Sequence, residues 1–395
     1  MKWSKARLDD VADLCLGKML DQNKNRGELL PYLANLNVRW GEFDLTDLRQ
    51  MRFEAHEMDR YGIKAGDIVM CEGGEPGRCA LWKEQVPGMM IQKALHRIRP
   101  REGLDNRFLY YSFLHQGRSG GFGHLFTGAT IKHLPGQNLA KLEVEFPQLS
   151  TQQRTAEALS AYDNSVENNR RRMELLERAV RLLYNEWFIH LRFPGHEHIR
   201  VTNGLPQGWE RKPLGDICTD IREMVSPEDL EPETPYIGLE HIPRRSISLG
   251  ESGRVGDVNS SKSRYRKGDI LFGKIRPYFH KVGIAFADGV ASSDAIVIRP
   301  TADEYRGLVL TTVSSDRFVA EASQTMREGS KMPRADWNLM KKYPVTLPPC
   351  GLLESFSDTL NGITDQLRTL SFQNQQLRAA RDLLLPRLMS GEITV

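Results

Sequence analysis

The sequence predicts an α+β protein in which two copies of a strand-rich α/β domain are separated by two long helices, the helices forming an antiparallel coiled coil. Three observations predict it. The chain repeats itself once at a spacing of about 200 residues, each copy ends in a helix-favouring segment with a heptad seam, and 395 residues with 40% apolar content suffice for two or more cores. Two equivalent halves joined through an antiparallel pair generate a pseudo-two-fold axis within one chain.

The repeat is visible residue by residue. Trp3, Leu8, Asp10 and Val11 recur as Trp209, Leu214, Asp216 and Ile217, displaced by 206 positions. Tyr32 and Leu33 return as Tyr236 and Ile237, displaced by 204, and Gly66-Asp67-Ile68-Val69 returns as Gly268-Asp269-Ile270-Leu271, displaced by 202. Ile98-Arg99-Pro100 returns as Ile298-Arg299-Pro300, displaced by 200. A slow downward drift is what loop insertions in two copies of one fold produce.

Each copy opens with about 150 residues of short β-prone runs punctuated by glycine and proline, such as GDIVMCEGGEPG, GDILFGKIRPYF and DAIVIRP. These read as compact α/β domains at 1–149 and 193–349, followed by helices at 150–192 and 350–395. In the first helix Leu159, Tyr162, Val166, Asn169, Met173, Leu176, Val180, Leu183 and Trp187 fall at 3,4 spacing. In the second, Leu360, Ile363, Leu367, Leu370, Asn374, Leu377, Arg381, Leu384 and Leu388 do the same, shifted by 201 throughout.

The faces between seam residues are charged, as in NNRRRMELLER, so each helix must bury a narrow stripe against a similar partner. The simplest partner is the other helix. With Leu159 and Leu360 at heptad position a, Asn169 falls at d and Asn374 at a, and antiparallel coils pair a with d. Setting the two asparagines opposite one another gives pairs whose numbers sum to 543, which also places Leu159 opposite Leu384 and Leu183 opposite Leu360. Asn169 and Asn374 are therefore expected to hydrogen-bond and fix the register.

Composition excludes some classes and permits others. A net charge of +3 allows nucleic-acid binding without requiring it, so any basic surface must be local. Cys15, Cys71, Cys79, Cys218 and Cys350 form no Cys-x-x-Cys pair of the kind zinc ribbons or redox sites need, and read as reduced, mostly buried thiols. The opening MKWSKARLDD has no apolar core of a signal peptide, and no stretch approaches the roughly 20 apolar residues a membrane span requires. A cytosolic protein without membrane contact is expected.

A known family shares these features. The run Thr127-Gly128-Ala129-Thr130-Ile131-Lys132-His133-Leu134, then Leu142 to Pro147, then Gln152-Gln153-Arg154 and the heptad helix, resembles the end of a target-recognition domain in type I restriction-modification specificity subunits. Its second copy is Gly329-Ser330-Lys331-Met332-Pro333-Arg334, then Tyr343 to Pro349 and the second helix. Leu205-Pro206-Gln207-Gly208-Trp209 with Pro213-Leu214-Gly215-Asp216 looks like the family's start of a second recognition domain. The first copy lacks that opening apart from Trp3, and Gln152-Gln153 stands where a Glu-Gln pair is common.

The resemblance implies a non-catalytic subunit with two target-recognition domains, each reading one half of a split double-stranded DNA target. It also implies that the helices dock two modification subunits that methylate adenine from S-adenosylmethionine, with restriction subunits joining that core. No cofactor is implied in this chain. The first seam, Leu159 to Trp187, spans roughly 43 Å at about 1.5 Å per residue. That length suits two domains held about one DNA turn, roughly 34–36 Å, apart.

Phosphates are held by Lys, Arg and backbone amides, whereas base edges are read by Arg, Lys, Asn, Gln, Ser, Thr and methyl contacts. Such residues cluster on glycine-rich loops. In the first domain the candidates are Arg78, Gln92, Lys93, Arg118, His124, Thr127, Thr130, Lys132 and His133. In the second they are Lys274, Arg276, Tyr278, His280, Lys281, Ser292, Ser293, Arg327, Ser330, Lys331 and Arg334. GKIRPYFHK aligns with the Glu75-Pro76-Gly77-Arg78 region, which places positive charge on equivalent loops. Arg244 and Arg245 are weaker candidates, equally explained by a surface turn.

Two other functions compete. A nuclease would need a metal-binding pair, for which Asp67 with Glu72 or Glu75 is the nearest imitation, but Asp67 sits in a Gly-Asp-Ile turn repeated at Asp269, where turn capping accounts for it. The chain has neither a phosphate-binding Gly-x-x-x-x-Gly-Lys-Ser/Thr loop nor the Asn-Pro-Pro-aromatic tetrad of an adenine methyltransferase. A pure coiled-coil scaffold explains the seams but leaves two divergent strand-rich domains without a role.

Overall fold

A computed structural model describes residues 3–21, 25–326 and 332–395, and the chain divides into two compact units, Met1–Ser165 with Leu377–Val395 and Val166–Gln376. Arg327, Ser330 and Lys331 lie outside the described residues.

The first unit is built on an antiparallel four-stranded sheet in the order Ala12–Leu16, Leu95–Pro100, Ile68–Cys71, Cys79–Leu81. Ile68–Cys71 is apolar throughout and buried throughout, because it is covered on both faces. A second sheet carries Arg49–Phe53, Glu28–Leu33 and Met90–Ile91, with Tyr32 and Leu33 pairing in parallel with Met90 and Ile91. Helix Asn106–Arg118 lies in the main core. Its start is capped by the Asp105 carboxylate, which accepts from the backbone N–H groups of Arg107 and Phe108 at 3.0 and 2.9 Å.

The second unit repeats this plan and extends it. Its first sheet runs Cys218–Ile221, Ala295–Pro300, Ile270–Gly273, Val282–Ala285, then adds Ser248–Leu249. In its second sheet Tyr236 and Ile237 pair in parallel with Val290 and Ala291, the counterpart of the Tyr32–Met90 pairing. Each unit also joins an early strand to the strand before a long helix: Ser4–Arg7 with Glu143–Phe146, and Glu210–Pro213 with Pro344–Leu347.

The repeated Gly-Asp-Ile turns carry the same bonds in both units. Asp67 receives two bonds from the Arg99 guanidinium at 2.7 Å and caps its turn by accepting from Lys64 N–H at 2.8 Å. Asp269 does the same with Arg299 at 2.7 Å and with Arg266 N–H at 2.7 Å. Bidentate pairing of a planar guanidinium with a buried carboxylate fixes geometry as well as charge, so this pair pins two strands of each sheet.

The long helices are Leu149–Tyr184, extended by a π-helical turn at Asn185–Ile189, and Cys350–Met389. They run antiparallel within each unit. In the second unit Asn169 meets Asn374 and the Trp187 ring lies 5.4 Å from that of Phe356, so numbers rise along one helix as they fall along the other. In the first, Asp163 meets Arg381, while Leu159 and Leu385 share a core. The seam follows the heptads: Leu159, Val166, Val180, Leu360, Leu367 and Leu370 are buried, whereas Leu175, Leu182 and Leu383 off the seam are exposed. The expected asparagine contact is present, with Asn169 Nδ2 donating to Asn374 Oδ1 at 3.0 Å.

The long helices pack into the cores that the sheets build. Each compact unit takes part of both. The reason is burial: Ala156, Leu159, Leu385 and Leu388 belong to the first unit's core, and Trp187, Phe188, Leu353 and Phe356 to the second's. Gln152 clips the first helix to its domain, its amide donating to the Pro147 and Gly103 carbonyls at 2.9 and 3.1 Å and its Oε1 accepting from Asp105 N–H at 2.8 Å. A glutamate there would have no N–H groups for those carbonyls.

Candidate nucleic-acid interface

In the first unit the candidates gather on two joined loops. The strand Ile68–Cys71 runs into a glycine-rich loop at 72–78, where Gly77 has φ +87° and a Cβ would lie 2.6 Å from the Phe122 ring, so no larger residue fits. Beside it, Thr127 and His133 exchange both backbone bonds, Thr127 N–H to His133 O at 2.8 Å and His133 N–H to Thr127 O at 2.9 Å. This closes a finger whose turn depends on Gly128 at φ +94°, since a Cβ there would stand 2.2 Å from the Ile131 carbonyl oxygen. The finger is anchored to the loop by Leu134 N–H donating to Glu72 O at 2.7 Å.

Thr127, Thr130, Lys132 and His133 are exposed on this finger, and His124 is exposed on the turn before it. Ile131, not among the candidates by residue type, stands between them with its side chain 67% exposed. Its signal was there: a lone β-branched residue inside a polar glycine loop has no core to join. Together the finger offers an ammonium, hydroxyls, an imidazole and an apolar group, which are the means by which phosphates, base edges and thymine methyls are met.

Other candidates in this unit are used internally. Arg78 keeps only 13% of its side chain exposed, donating to Glu75 at 2.9 Å and to the Asn35 carbonyl at 2.8 Å, so it holds the loop's shape. Glu75 is also held by Trp40, whose indole N–H donates to it at 2.6 Å. Arg118 is paired with Asp382 at 2.5 Å. Gln92 and Lys93 are half-buried beside Lys18, with Lys93 N–H donating to Lys18 O at 2.7 Å, away from the finger's own bonding.

In the second unit the loop 274–281 is the counterpart of 72–78, and its bonds match: Ala335 N–H donates to Lys274 O at 2.8 Å as Leu134 does to Glu72. Arg276 occupies the place of Gly74 and shares its left-handed backbone, at φ +47° against +81°. A non-glycine residue there costs of order 1–3 kcal/mol. Arg276 and Tyr278 are exposed, Tyr278 with its ring 4.9 Å from Phe279. His280 and Lys281 point inward instead. His280 is 7% exposed with its Nε2 at 2.8 Å from Ser314 O, and Lys281 donates to Leu239 O at 2.5 Å. Burial lowers the pKa of both.

Next to this loop lies a cleft of about 720 Å³ lined by Lys274, Ser293 and Arg334 and by Arg222, Met224 and Asn338, which the sequence reading passed over. Arg334 pairs with Asp294 at 3.1 Å and Arg222 with Asp220 at 2.5 Å, leaving both guanidiniums more than half exposed. Burial depresses the Lys274 pKa, and the neighbouring Arg334 and Arg222 depress it further against the pull of Asp294. An anion brought into the cleft would relieve that mutual repulsion. Ser293 is exposed, whereas Ser292 is half-buried and its hydroxyl accepts from Asp294 N–H at 3.2 Å.

The nuclease alternative loses its residues to structure. Asp67 is 1% exposed and saturated by Arg99 and Lys64 N–H, and Glu75 is held by Arg78 and Trp40. Among the described residues one trio of potential metal donors stands together, Glu54, His56 and Glu57, with donor atoms within 4.8 Å. Glu57 there is bound by Lys18 at 2.5 Å and accepts from Glu54 N–H at 2.9 Å, the pattern of a capped turn. Cys71, Cys79 and Cys218 are buried free thiols, and burial pushes Cys218 up to about 12. No helix among the described residues is long and apolar enough to cross a membrane.

Comparison with known proteins agrees with this architecture. Residues 1–178 match the family described as type I restriction modification DNA specificity domain. The chain is 22% identical over 347 residues to the type I restriction enzyme MjaIX specificity subunit of Methanocaldococcus jannaschii, covering 84% of this chain and 78% of that one. It is 24% identical over 250 residues to the EcoDI specificity subunit of Escherichia coli, covering 56% of this chain and 55% of that one. A crystal structure of the type I restriction-modification S subunit from M. genitalium superposes with a TM-score of 0.57 at 17% identity, covering 98% of this chain and 96% of that one, which is a likeness of fold.

Proposed function

We propose that this chain, which belongs to the family of type I restriction-modification specificity subunits, reads a bipartite and asymmetric DNA target, one half with each repeated domain. The observation that carries this reading is a pair of loops at equivalent positions, 72–78 with its finger and 274–281 with its cleft, built on the same backbone bonds but bearing different side chains. Gly74 in one is Arg276 in the other. The finger presents Thr130, Ile131, Lys132 and His133, whereas the described residues of the second cleft add the guanidiniums of Arg222 and Arg334 to Lys274 and Ser293. Equal frameworks with unequal readers favour two different half-sites.

The chemistry belongs to partners on this reading. Modification subunits bind the long helices and methylate adenine from S-adenosylmethionine, and restriction subunits join that assembly. Leu175, Leu182 and Leu383, each more than half exposed on the helices, support a protein partner there, since apolar side chains on a charged helix surface gain by being covered.

Selection of the full-length chain against randomised duplexes tests the proposal. The expected product is two short unlike motifs at a fixed gap, with affinity falling steeply as salt rises. Enrichment of one continuous motif, or of none, would refute it. Mapping methylated adenines in cells that carry the chain with its modification partner then places each motif.

A further inference from the structure

The second unit holds a cavity behind the loop 274–281, with the inward-pointing His280 in its lining. It has a volume of about 480 Å³, with an apolar floor of Val180, Ile247 and Val282 and three guanidiniums, Arg181, Arg245 and Arg317, around it. The one carboxylate among them is Asp316, which accepts from Arg245 at 2.8 Å. Arg181 donates one N–H to the Arg245 carbonyl at 3.1 Å. Arg317 is exposed and makes no hydrogen bond or ion pair among the described residues.

The first unit has a neutralised version of this place. Asp382 stands one repeat of 201 residues after Arg181, and it binds Arg118 at 2.5 Å and Arg381 at 2.8 Å. Where the first unit has the acid Asp382, the second has the base Arg181, and its cavity gathers three guanidiniums against one carboxylate. Like charges gathered by a fold repel until a counter-charge enters, and a guanidinium fork matches the oxygens of a phosphate. The apolar floor adds room for a flat organic body beside the charge.

We propose that this cavity is a phosphate-binding site of nucleotide size, filled either by a free nucleotide or by a phosphate of the DNA backbone. Only the second source rests on the DNA-reading proposal. Calorimetric titration of the full-length chain with adenosine 5′-monophosphate, with adenosine as the uncharged control, tests the first. The wild type is expected to bind the monophosphate, and Arg317→Gln to bind it roughly tenfold more weakly. Arg181→Gln is a second variant, and unchanged thermal midpoints show that both fold.

If the phosphate comes from DNA, the monophosphate gives no heat, while Arg317→Gln lowers the slope of log affinity against log salt by roughly one. Absence of both effects overturns the proposal, as does equal binding of adenosine and its monophosphate, since the floor alone would then hold the ligand. Lys132→Ala on the first unit's finger separates the two failures. If it weakens DNA binding while Arg317→Gln is silent in both assays, the cavity proposal alone falls. If neither variant alters DNA binding, the reading of DNA by these loops fails too.

Discussion

In the first unit the seam between the long helices is crossed by charge. Arg381, 9% exposed, binds Asp163, and Asp163 also accepts from the Tyr111 hydroxyl at 2.7 Å. In the second unit the counterparts of Arg381 and Asp163, by the repeat of 201, are Val180 and Thr364, and the polar crossing is instead the amide pair of Asn169 and Asn374. The same helix pairing is thus made specific by an ion pair at one place and by a neutral hydrogen bond at another. Both devices demand one partner at one height, and an ungapped apolar seam would not distinguish neighbouring registers. Duplication preserved the backbone plan while the buried polar groups diverged, so the two copies are not interchangeable at their seams.

The largest effect should come from the charged crossing. Asp163→Ala leaves a buried guanidinium short of a carboxylate and is expected to cost about 3 kcal/mol, whereas Thr364→Ala, its counterpart, should cost less than about 1 kcal/mol. Urea unfolding of both variants checks this, and equal losses would show that the first unit's ion pair contributes nothing special. The amide crossing comes next. Asn169→Leu should cost about 1–3 kcal/mol by stranding Asn374, and adding Asn374→Leu should restore much of that loss while weakening register. Cysteine pairs placed one heptad out of register would crosslink in the double variant and not in the wild type.

On the loops the expected effects shift from stability to recognition. Ile131→Ala should relax preference at one position of one half-site, within the roughly 1–3 kcal/mol that a base contact carries, and leave the other half-site untouched. Lys132→Ala should weaken binding to all duplexes alike and lower the salt slope by roughly one. Arg78→Ala is the smallest case for recognition: loss of its bonds to Glu75 and Asn35 should cost about 1–2 kcal/mol of stability with no change in preference beyond what loop loosening causes. Selection against randomised duplexes with each variant measures these differences.

The repeat, the strand-rich domains and the antiparallel pair were legible because each rests on spacing, and spacing survives in a sequence. The asparagine contact was legible for the same reason. Heptads say which face of a helix is buried but not against what: Leu159 is a seam residue that also fills the first unit's core, and Phe356 of the second helix fills the second's. Among the candidate residues chosen by type, Thr130 and Lys132 are exposed on the finger, whereas Arg78, His280 and Lys281 turn to bonds within the fold. Those side chains are polar for the sake of nearby carbonyls, which no residue letter records. Arg222 and Asn338 were missed because the cleft they line forms from segments far apart in the chain.

The finger closed by Thr127 and His133 is tied at its base by main-chain bonds, Thr127 with His133 and Leu134 with Glu72. Gly128 is fixed by the turn, while the exposed side chains of Ala129 to Lys132 can be exchanged with the sheet below keeping its alignment. On the proposed reading of DNA, selection for a new cognate sequence has a short cassette to work on, and a designer wishing to retarget the molecule would begin with Ala129 to Lys132.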